Sequence, residues 1–292
     1  MSYGDLLHNV IEVRGLTYRY HGGIEALCGL DLDVRAGSRL ALIGANGAGK
    51  STLLLHLNGT IQPESGTIRF GGELADYSRE GRRSWRQQVG LVLQNPDDQL
   101  FAPTVEEDVS FGPLNLGLTD EDVLDRVRET LHLLKIEELA RRQPWTLSHG
   151  QKRLVAIAGV VAMRPRILIL DEPLSGLDWS GSRQLIRLLK GLEETGITIV
   201  MATHDIEFAA SWASEIAIIE RGRLLCQDEA TEILTNPDLL ARADLPIPLS
   251  VEVWMRLRRQ RVICSQERLP ILRDELLERL EQSLFRGRPE HG

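Results

Sequence analysis

The sequence predicts an α/β fold built around a mostly parallel sheet. Three short apolar runs, at residues 39–44, 166–171 and 197–205, are rich in Ile, Leu and Val and do not alternate with polar residues. Strands that are buried on both faces have this pattern, because neither face meets water. Segments with helical periodicity separate the runs, and this order of strands and helices indicates parallel strands joined by crossover helices.

The amino-acid composition and net charge favour a globular protein that binds neither nucleic acid nor the membrane interior. The chain has 292 residues, of which 42% are apolar and 26% are charged, as is ordinary for a globular protein. Its net charge of −8 argues against a nucleic-acid partner, since phosphate backbones are bound by clustered Lys and Arg. No apolar run approaches the roughly 18 residues of a membrane-spanning helix, and the N-terminus lacks the pattern of a secretory signal. Three widely spaced cysteines, Cys28, Cys226 and Cys264, suggest reduced thiols in a cytoplasmic protein.

The clearest motif is GANGAGKST at residues 44–52, between the first apolar strand and a helical segment. It matches G-x-x-x-x-G-K-[ST], the glycine-rich loop that wraps around phosphate groups. We expect Lys50 to reach the β- and γ-phosphates of a nucleotide, Ser51 to bind Mg²⁺ and Thr52 to lie near the α-phosphate. The loop residues expected to bind nucleotide through backbone N–H groups and side chains are Gly44, Ala45, Asn46, Gly47, Ala48, Gly49, Lys50, Ser51 and Thr52.

Two acids and a histidine follow the other two apolar strands. Asp171 and Glu172 end ILILDE, and His204 ends ITIVMATH. Ligands of α/β proteins bind at the carboxyl edge of the parallel strands, so these side chains should lie near the loop. We expect Asp171 to hold Mg²⁺ through water, Glu172 to orient or deprotonate the attacking water, and His204 to contact the γ-phosphate.

A second anion-binding feature is predicted at LSHGQ, residues 147–151. Ser148 followed by Gln151 is the pattern of a capping box at the start of a helix. The first turn of a helix carries a partial positive charge and free N–H groups, so it suits an anion.

The sequence pattern of residues 95–163 differs from that of the rest of the chain. It contains signals for the start of helices and lacks the apolar runs that predict buried strands. Thr104 is followed by Glu107, and Thr119 by Asp122, which is the pattern of a capped helix. We therefore expect a helical subdomain inserted into the α/β core.

The sequence thus predicts three parts: a nucleotide-binding core at residues 1–94 and 164–235, the helical subdomain at 95–163, and a helical C-terminal extension at 236–292. Within the extension, leucines recur at every fourth position and predict an amphipathic helix. These leucines are Leu272, Leu276, Leu280 and Leu284. Its polar face is mixed in charge, which favours packing on its own domain or a second chain over binding to a membrane surface.

The motifs GANGAGKST, LSHGQ, ILILDEP, LSGLD and ATHD, in this order, resemble those of the ATP-binding subunits of ABC transporters. The resemblance spans about residues 10–235. It implies Mg²⁺-dependent ATP hydrolysis and a head-to-tail dimer with two ATP molecules at its interface. In such a dimer, Ser148, His149, Gly150 and Gln151 of one chain would cap the γ-phosphate held by the phosphate loop of the other chain.

The resemblance also assigns roles that the residue pattern alone does not. Tyr20, expected before the first strand hairpin, is similar to the aromatic residue that stacks on adenine. Gln94 is similar to the glutamine that links Mg²⁺ and water to the membrane partner, and Asp178 lies in a loop resembling the one that crosses the dimer seam. His149 replaces the glycine of the family pattern. We expect this change to be tolerated, with the ring near the nucleotide of the neighbouring chain.

A narrower resemblance covers QNPDDQLFAPTVEEDVSFGP, residues 94–113. It is similar to the ATPases of energy-coupling-factor transporters, which import metal ions and vitamins, and GLTDEDVLDRV and AIAGVVAMRP favour the cobalt and nickel branch. The implied partners are a second ATPase subunit, identical or closely related, a transmembrane scaffold and a substrate-binding membrane subunit at the cytoplasmic face of the cell membrane. Leu100 and Phe101, beside Asp97 and Asp98, predict an apolar anchor for a basic scaffold helix.

Alternative interpretations stay open at this point. One is the ATPase of an ordinary ABC importer or exporter. A soluble ABC-type ATPase acting on nucleic acid is less consistent with a single core and net acidity. A P-loop kinase or switch GTPase would lack LSHGQ and would need a guanine-reading or acceptor-reading motif, which the sequence does not show.

Overall fold

The computed structural model describes residues 9–260, so Cys264 and the helix predicted from Leu272 to Leu284 lie outside the described residues. The strands are β1 Asn9–Arg19, β2 Glu25–Arg35, β3 Arg39–Ile43, β4 Ser65–Phe70, β5 Glu73–Leu74, β6 Val89–Val92, β7 Ile167–Asp171, β8 Thr198–Thr203, β9 Glu215–Glu220 and β10 Arg223–Glu229. The helices are α1 Lys50–Leu57, α2 Arg79–Gln88, α3 Val105–Asn115, α4 Asp120–Leu134, α5 His149–Val161, α6 Trp179–Glu193, α7 Ile206–Trp212, α8 Ala230–Leu234, α9 Pro237–Arg242 and α10 Leu249–Arg259.

A six-stranded sheet forms the centre of the fold, in the order β10-β9-β3-β8-β7-β6. All neighbours in it are parallel except β9 and the edge strand β10, which pair antiparallel. The three predicted apolar strands are β3, β7 and β8, and β3 and β7 both flank β8. The predicted α/β fold with a mostly parallel sheet is therefore confirmed.

Strand β3 shows why the apolar runs do not alternate. Leu40 and Leu42 belong to the core cluster on one face of the sheet, whereas Ala41 and Ile43 belong to the cluster on the other. All four are fully buried. Both faces therefore exclude water, and both contribute to stability through buried apolar area.

A second, antiparallel sheet with the order β2-β1-β4-β5 covers one face and was not predicted beyond its first hairpin. In it, β1 pairs with β2 and also with the distant β4, where Ile11 faces Phe70. The expectation that Tyr20 precedes the first hairpin is wrong. Tyr20 lies inside the hairpin, where its N–H donates to the Ile24 carbonyl across the turn between β1 and β2.

The predicted helix starts in the insertion are confirmed. The Thr104 hydroxyl accepts from the Glu107 N–H at the start of α3, and the Thr119 hydroxyl accepts from the Asp122 N–H at the start of α4. Both helices pack with α5 on one face of the central sheet as part of one continuous apolar cluster. We propose that residues 95–163 form a subdomain attached to the core through this cluster.

The described part of the C-terminal extension also packs on the core. Val251 and Trp254 of α10 are buried, and the Leu249 N–H donates to a Glu207 carboxylate oxygen of α7 at 2.7 Å. Between residues 9 and 260, no helix combines the length and apolar character that crossing a bilayer requires.

Candidate nucleotide-binding site

The phosphate loop lies between β3 and α1. The Leu53 N–H donates to the Gly49 carbonyl at 2.9 Å and begins the helical hydrogen bonds of α1, so the preceding N–H groups are available to an anion. Gly49 has a φ of 103°, a left-handed conformation that glycine adopts at no steric cost. A Cβ atom at Gly49 would lie 2.4 Å from the Ala26 carbonyl oxygen. The loop therefore needs glycine here for its dihedral angle and for space.

Lys50 is buried at the start of α1, and its ammonium donates to the carbonyls of Gly44 at 2.7 Å and Ala45 at 3.2 Å. Burial lowers the pKa of Lys50, whereas the carboxylates of Glu172 and Asp171 act to raise it. The amine is thus held within the loop and near both acids. This position supports the predicted contact with the β- and γ-phosphates.

The predicted acids and histidine meet at the carboxyl edge of the central sheet. Asp171 is the last residue of β7 and pairs with Ala202 of β8, and His204 follows β8 directly. The Nδ1 atom of His204 lies 2.9 Å from the Oε2 atom of Glu172. An ionised carboxylate can only accept, so Nδ1 donates and Nε2 stays free for a second partner.

Glu172 adopts a left-handed backbone conformation with a φ of 45°, which typically costs about 1–3 kcal/mol for a residue with a side chain. Its N–H donates to the Ala202 carbonyl at 2.9 Å, and its carbonyl accepts from the Ser175 N–H at 3.1 Å. The Arg153 guanidinium donates to the same carbonyl at 3.4 Å. These contacts hold the turn that places the Glu172 carboxylate beside His204.

Asp171 has the surroundings expected of a Mg²⁺ ligand. Burial raises the pKa of Asp171, and the nearby Ser51 hydroxyl acts in the opposite direction. Its Oδ1 atom is buried without a hydrogen-bond partner among the described residues, which is unfavourable unless a cation or donor satisfies it. Mg²⁺ is usually held by one or two carboxylates, waters and substrate phosphates. Ser51 and Asp171 therefore suit an ion that binds together with a nucleotide.

Gln94 lies two residues beyond the end of β6 and is exposed. Strands β6 and β7 run parallel, with Val92 beside Leu170. Gln94 and Glu172 therefore both lie two residues past a paired position at one edge of the sheet. This placement is consistent with a role of Gln94 beside Mg²⁺ and water, which stays a prediction.

The LSHGQ segment forms the capping box that its sequence predicts. The Ser148 hydroxyl accepts from the Gln151 N–H at 3.2 Å, and the Gln151 Oε1 atom accepts from the Ser148 N–H at 3.0 Å. The first turn of α5 contains no acidic residue, and Ser148 is exposed. The positive end of the helix is therefore open to an anion.

The His149 ring is engaged within its own chain. Its Nε2 atom lies 3.4 Å from the Nη2 atom of Arg153, and a Cβ atom on Gly176 would lie 3.0 Å from its Cδ2 atom. The ring therefore packs against the loop that follows Glu172. Its expected proximity to the nucleotide of a neighbouring chain stays a prediction.

Tyr20 and Asp178 have defined contacts in the structure. The Tyr20 hydroxyl lies 3.1 Å from Thr52 Oγ1, so its half-exposed ring lies beside the phosphate loop. Stacking of this ring on adenine stays a prediction.

Asp178 caps α6, because its Oδ1 atom accepts from the Gly181 N–H at 2.7 Å. The carboxylate therefore has a structural role that its place in LSGLD did not predict.

Arg153 is the main residue of the site that the motifs missed. It is 1% exposed, and burial lowers the pKa of its guanidinium while Asp171 and Glu172 act to raise it. Arg153 precedes Ile157 and Val160 by four and seven positions, which places the three side chains on one helix face. That spacing is a sequence signal that would have predicted a buried arginine.

Comparison with known proteins places this geometry in a family. Residues 27–175 match the family model described as ABC transporter. The chain is 49% identical over 267 residues to the cobalt import ATP-binding protein CbiO of Rhodobacter capsulatus, covering 91% of this chain and 95% of that protein. It is 45% identical to the energy-coupling factor transporter ATP-binding protein EcfA of Methanothermobacter thermautotrophicus, covering 85% of this chain and 80% of that protein.

Solved structures agree with the sequence relatives. CbiO1 of Clostridium perfringens, described as part of the ABC transporter complex cbiONQ, has a TM-score of 0.72 at 38% identity and covers 86% of this chain and 97% of its own. The ATP-binding cassette MJ0796, solved as a dimer bound to ADP and phosphate, has a TM-score of 0.70 at 28% identity, covering 75% of this chain and 98% of its own. With its phosphate loop, paired acids and capped LSHGQ helix, the chain belongs to the ABC transporter family and is an ATPase.

Proposed function

We propose that this chain is the ATPase subunit of an importer of the energy-coupling-factor type. The similarity to CbiO and EcfA along most of the chain carries the proposal. The chain would work at the cytoplasmic face of the cell membrane with a second ATPase subunit, a transmembrane scaffold and a substrate-binding membrane subunit. The transported ion would be cobalt or nickel, and it would not contact this chain.

The residues at the sheet edge support an in-line attack of water on the γ-phosphate. Glu172 orients and deprotonates the water, while the His204 Nδ1–H holds the Glu172 carboxylate and leaves Nε2 to contact the γ-phosphate. Lys50 donates to the β- and γ-phosphates from within the loop. Ser51 and Asp171 would hold Mg²⁺, which would supply positive charge to offset the negative charge of these phosphates. Most of the rate then comes from positioning and charge stabilisation.

The open end of α5 supports a head-to-tail dimer in which each nucleotide contacts both chains. In that dimer, Lys50 of one chain and the LSHGQ segment of the other act on the same ATP. Lys50→Ala removes a phosphate contact, and Gly150→Asp places a carboxylate where it repels the phosphate of the partner's nucleotide.

A mixed dimer tests this shared site. When Lys50→Ala and Gly150→Asp are placed on opposite chains, both changes fall on one site, and the other site stays intact and should bind ATP. When both are placed on one chain, each site loses one contribution, and we expect no stable ATP binding. Equal ATP binding in the two mixed dimers, measured by equilibrium dialysis, would contradict the shared site.

A groove beside Gln94 supports docking of a membrane scaffold. It has a volume of about 740 Å³ and lies among α2, α3, α5 and the segment that follows β6. Phe101 and Phe111 line it with their rings in edge contact, 4.7 Å between centroids, and they are 63% and 50% exposed. The backbone before α3 is fixed, because the Phe101 and Ala102 N–H groups both donate to the buried Asp108 carboxylate at 2.9 Å. The hydrogen bonds to Asp108 therefore fix the backbone of Phe101, and its exposed ring stays beside that of Phe111.

The contacts around the groove add detail to the docking site predicted from the sequence. Asp97 already has one basic contact within the chain, because its carboxylate accepts from the Lys152 ammonium at 2.5 Å, and its side chain is still 56% exposed. Leu100 is half-buried against the core, so Phe101 is the exposed member of the predicted pair. Basic side chains also line the groove. These are Arg79, Arg82, Arg83 and Arg86 of α2.

Replacing Phe101 and Phe111 together by serine tests the docking surface. We expect the double variant to lose co-purification with the membrane scaffold and to lose ion uptake, because the groove loses its apolar anchor. Its thermal unfolding midpoint should stay near that of the wild type, since both rings are exposed. Leu74→Ser is the matched control, because Leu74 is 58% exposed on β5 and does not line the groove. Normal co-purification of the double variant would contradict docking here.

Uptake of radioactive cobalt and nickel by cells that carry this chain with its membrane partners tests the transported ion. We expect uptake of at least one of them, lost when Lys50 is replaced by alanine. ATP-dependent uptake of an unrelated solute without either metal would favour an ordinary ABC importer.

A further inference from the structure

Arg153 places a buried positive charge at the junction of three segments. Its guanidinium donates to the carbonyls of Leu93 at 3.5 Å, Glu172 at 3.4 Å and Ser175 at 3.2 Å. A hydrogen bond from a guanidinium to a neutral carbonyl oxygen is weaker than one to a carboxylate. Because each of these acceptors is weak, the position of the Arg153 side chain depends on all of them. It connects α5 with the end of β6 and with the turn that carries Glu172.

His149 supplies a further acceptor for this guanidinium. It lies one helical turn before Arg153, on the same face of α5, with 3.4 Å between His149 Nε2 and Arg153 Nη2. A guanidinium can only donate, so Nε2 accepts and the ring proton lies on Nδ1. The ring also lies beside Gly176, where a Cβ atom would approach its Cδ2 atom to 3.0 Å, so the ring fits because glycine has no side chain. One exposed ring therefore contacts both the guanidinium and the loop that the guanidinium holds.

These contacts join two parts of the ATPase machinery within one chain. Ser148, next to His149, caps the end of α5 that faces the partner's nucleotide in the proposed dimer. Glu172 acts on the nucleotide of its own chain, and Arg153 donates to its carbonyl. A displacement of the first turn of α5 by the partner's nucleotide would therefore reach the turn that positions Glu172.

We propose that His149 is a positioning residue that, through Arg153, couples hydrolysis at the two nucleotide sites of the dimer. The inference rests on the shared-site dimer proposed above. A glycine at this position, as in the family pattern, has no ring to accept from Arg153 or to pack on Gly176. The coupling contact therefore requires a side chain with a hydrogen-bond acceptor at position 149.

Two substitutions in the full chain separate the acceptor from the bulk of the ring. His149→Leu keeps an apolar side chain beside Gly176 but cannot accept a hydrogen bond from Arg153. His149→Gln is the matched control, because its amide oxygen can accept from Arg153. Since His149 is exposed, both variants should fold, and their thermal unfolding midpoints verify this.

The measurement is the rate of ATP hydrolysis as a function of MgATP concentration. We expect His149→Leu to lower kcat about tenfold, because Glu172 is displaced, with KM changed by less than about twofold. The Hill coefficient for ATP should fall to about one, because the sites no longer influence each other. His149→Gln should recover most of both losses. A change that only destabilised the fold would lower the unfolding midpoint and would not lower kcat selectively while KM stays nearly unchanged.

Several outcomes would overturn the proposal. These are wild-type kinetics in His149→Leu, equal losses in both variants, an unchanged Hill coefficient with a lower kcat, or a wild-type Hill coefficient of one. Failure of the dimer itself would be seen separately. In that case Glu172→Gln would stay monomeric with ATP in size-exclusion chromatography with light scattering, whichever residue occupies position 149.

Discussion

Replacing Glu172 by glutamine is expected to slow ATP hydrolysis by about 10²- to 10⁴-fold while ATP binding is retained. The amide keeps the size of the side chain, and its oxygen can still accept from His204 Nδ1, which lies 2.9 Å from Glu172 Oε2 in the wild type. It cannot take a proton from water at neutral pH. The ATP-bound dimer should therefore become long-lived.

Single-turnover hydrolysis of labelled ATP measures the loss, and light scattering in the presence of ATP measures the dimer. Glu220→Gln is the matched control, since Glu220 is also a carboxylate at the end of a strand, but it is exposed at the end of β9. We expect the control to hydrolyse ATP at the wild-type rate. Hydrolysis near that rate in Glu172→Gln would show that another group activates the water.

Replacing Gly49 by alanine is expected to abolish measurable ATP binding and to lower the free energy of unfolding by about 2–5 kcal/mol. The new methyl group would meet the Ala26 carbonyl oxygen at 2.4 Å and the Leu27 side chain at 3.2 Å, at a φ of +103°. The backbone must therefore move, and this backbone forms the start of α1 and carries the N–H groups that we expect to bind the phosphates.

Gly47→Ala separates dihedral strain from the lack of space. Gly47 has a φ of +81°, and a Cβ atom there would have no neighbour within 4 Å. The free energy of unfolding of Gly47→Ala should therefore fall by only about 1–2 kcal/mol, which is the cost of the left-handed conformation. Denaturant unfolding and equilibrium ATP binding measure both variants. Equal losses in the two variants would show that the contact with Ala26 does not decide the effect.

Sequence reasoning succeeded where the signal lies in neighbouring residues. The phosphate loop and the capping box at Ser148 and Gln151 are each encoded within a few positions. Strand ends could also be placed, because parallel strands bring their carboxyl ends to one edge. That rule predicts from the sequence that Asp171, Glu172 and His204 lie together, and the structure places them at one edge of the sheet.

Contacts between distant segments could not be predicted in this way. The pairing of β1 with β4 depends on strand register across more than one intervening element, so the antiparallel sheet was missed apart from its first hairpin. The ion pair between Asp97 and Lys152, 2.5 Å long, was also not predicted, because the two residues lie on distant segments of the sequence. The spacing of Arg153 relative to Ile157 and Val160 indicates that it is buried, but its acceptors could not be predicted, because three of them are backbone carbonyls on other segments.

The burial of β3 and β8 on both faces has a consequence for local opening of the fold. All six residues of β8 and four of the five residues of β3 are buried, and each strand has a paired neighbour on both sides. Their amide hydrogens should therefore exchange with deuterium mainly through global unfolding. The phosphate loop and His204 continue directly from these two strands. Gly44 and His204 therefore directly follow strands whose opening requires global unfolding, so local opening elsewhere among residues 9–260 can occur without displacing Gly44 from His204.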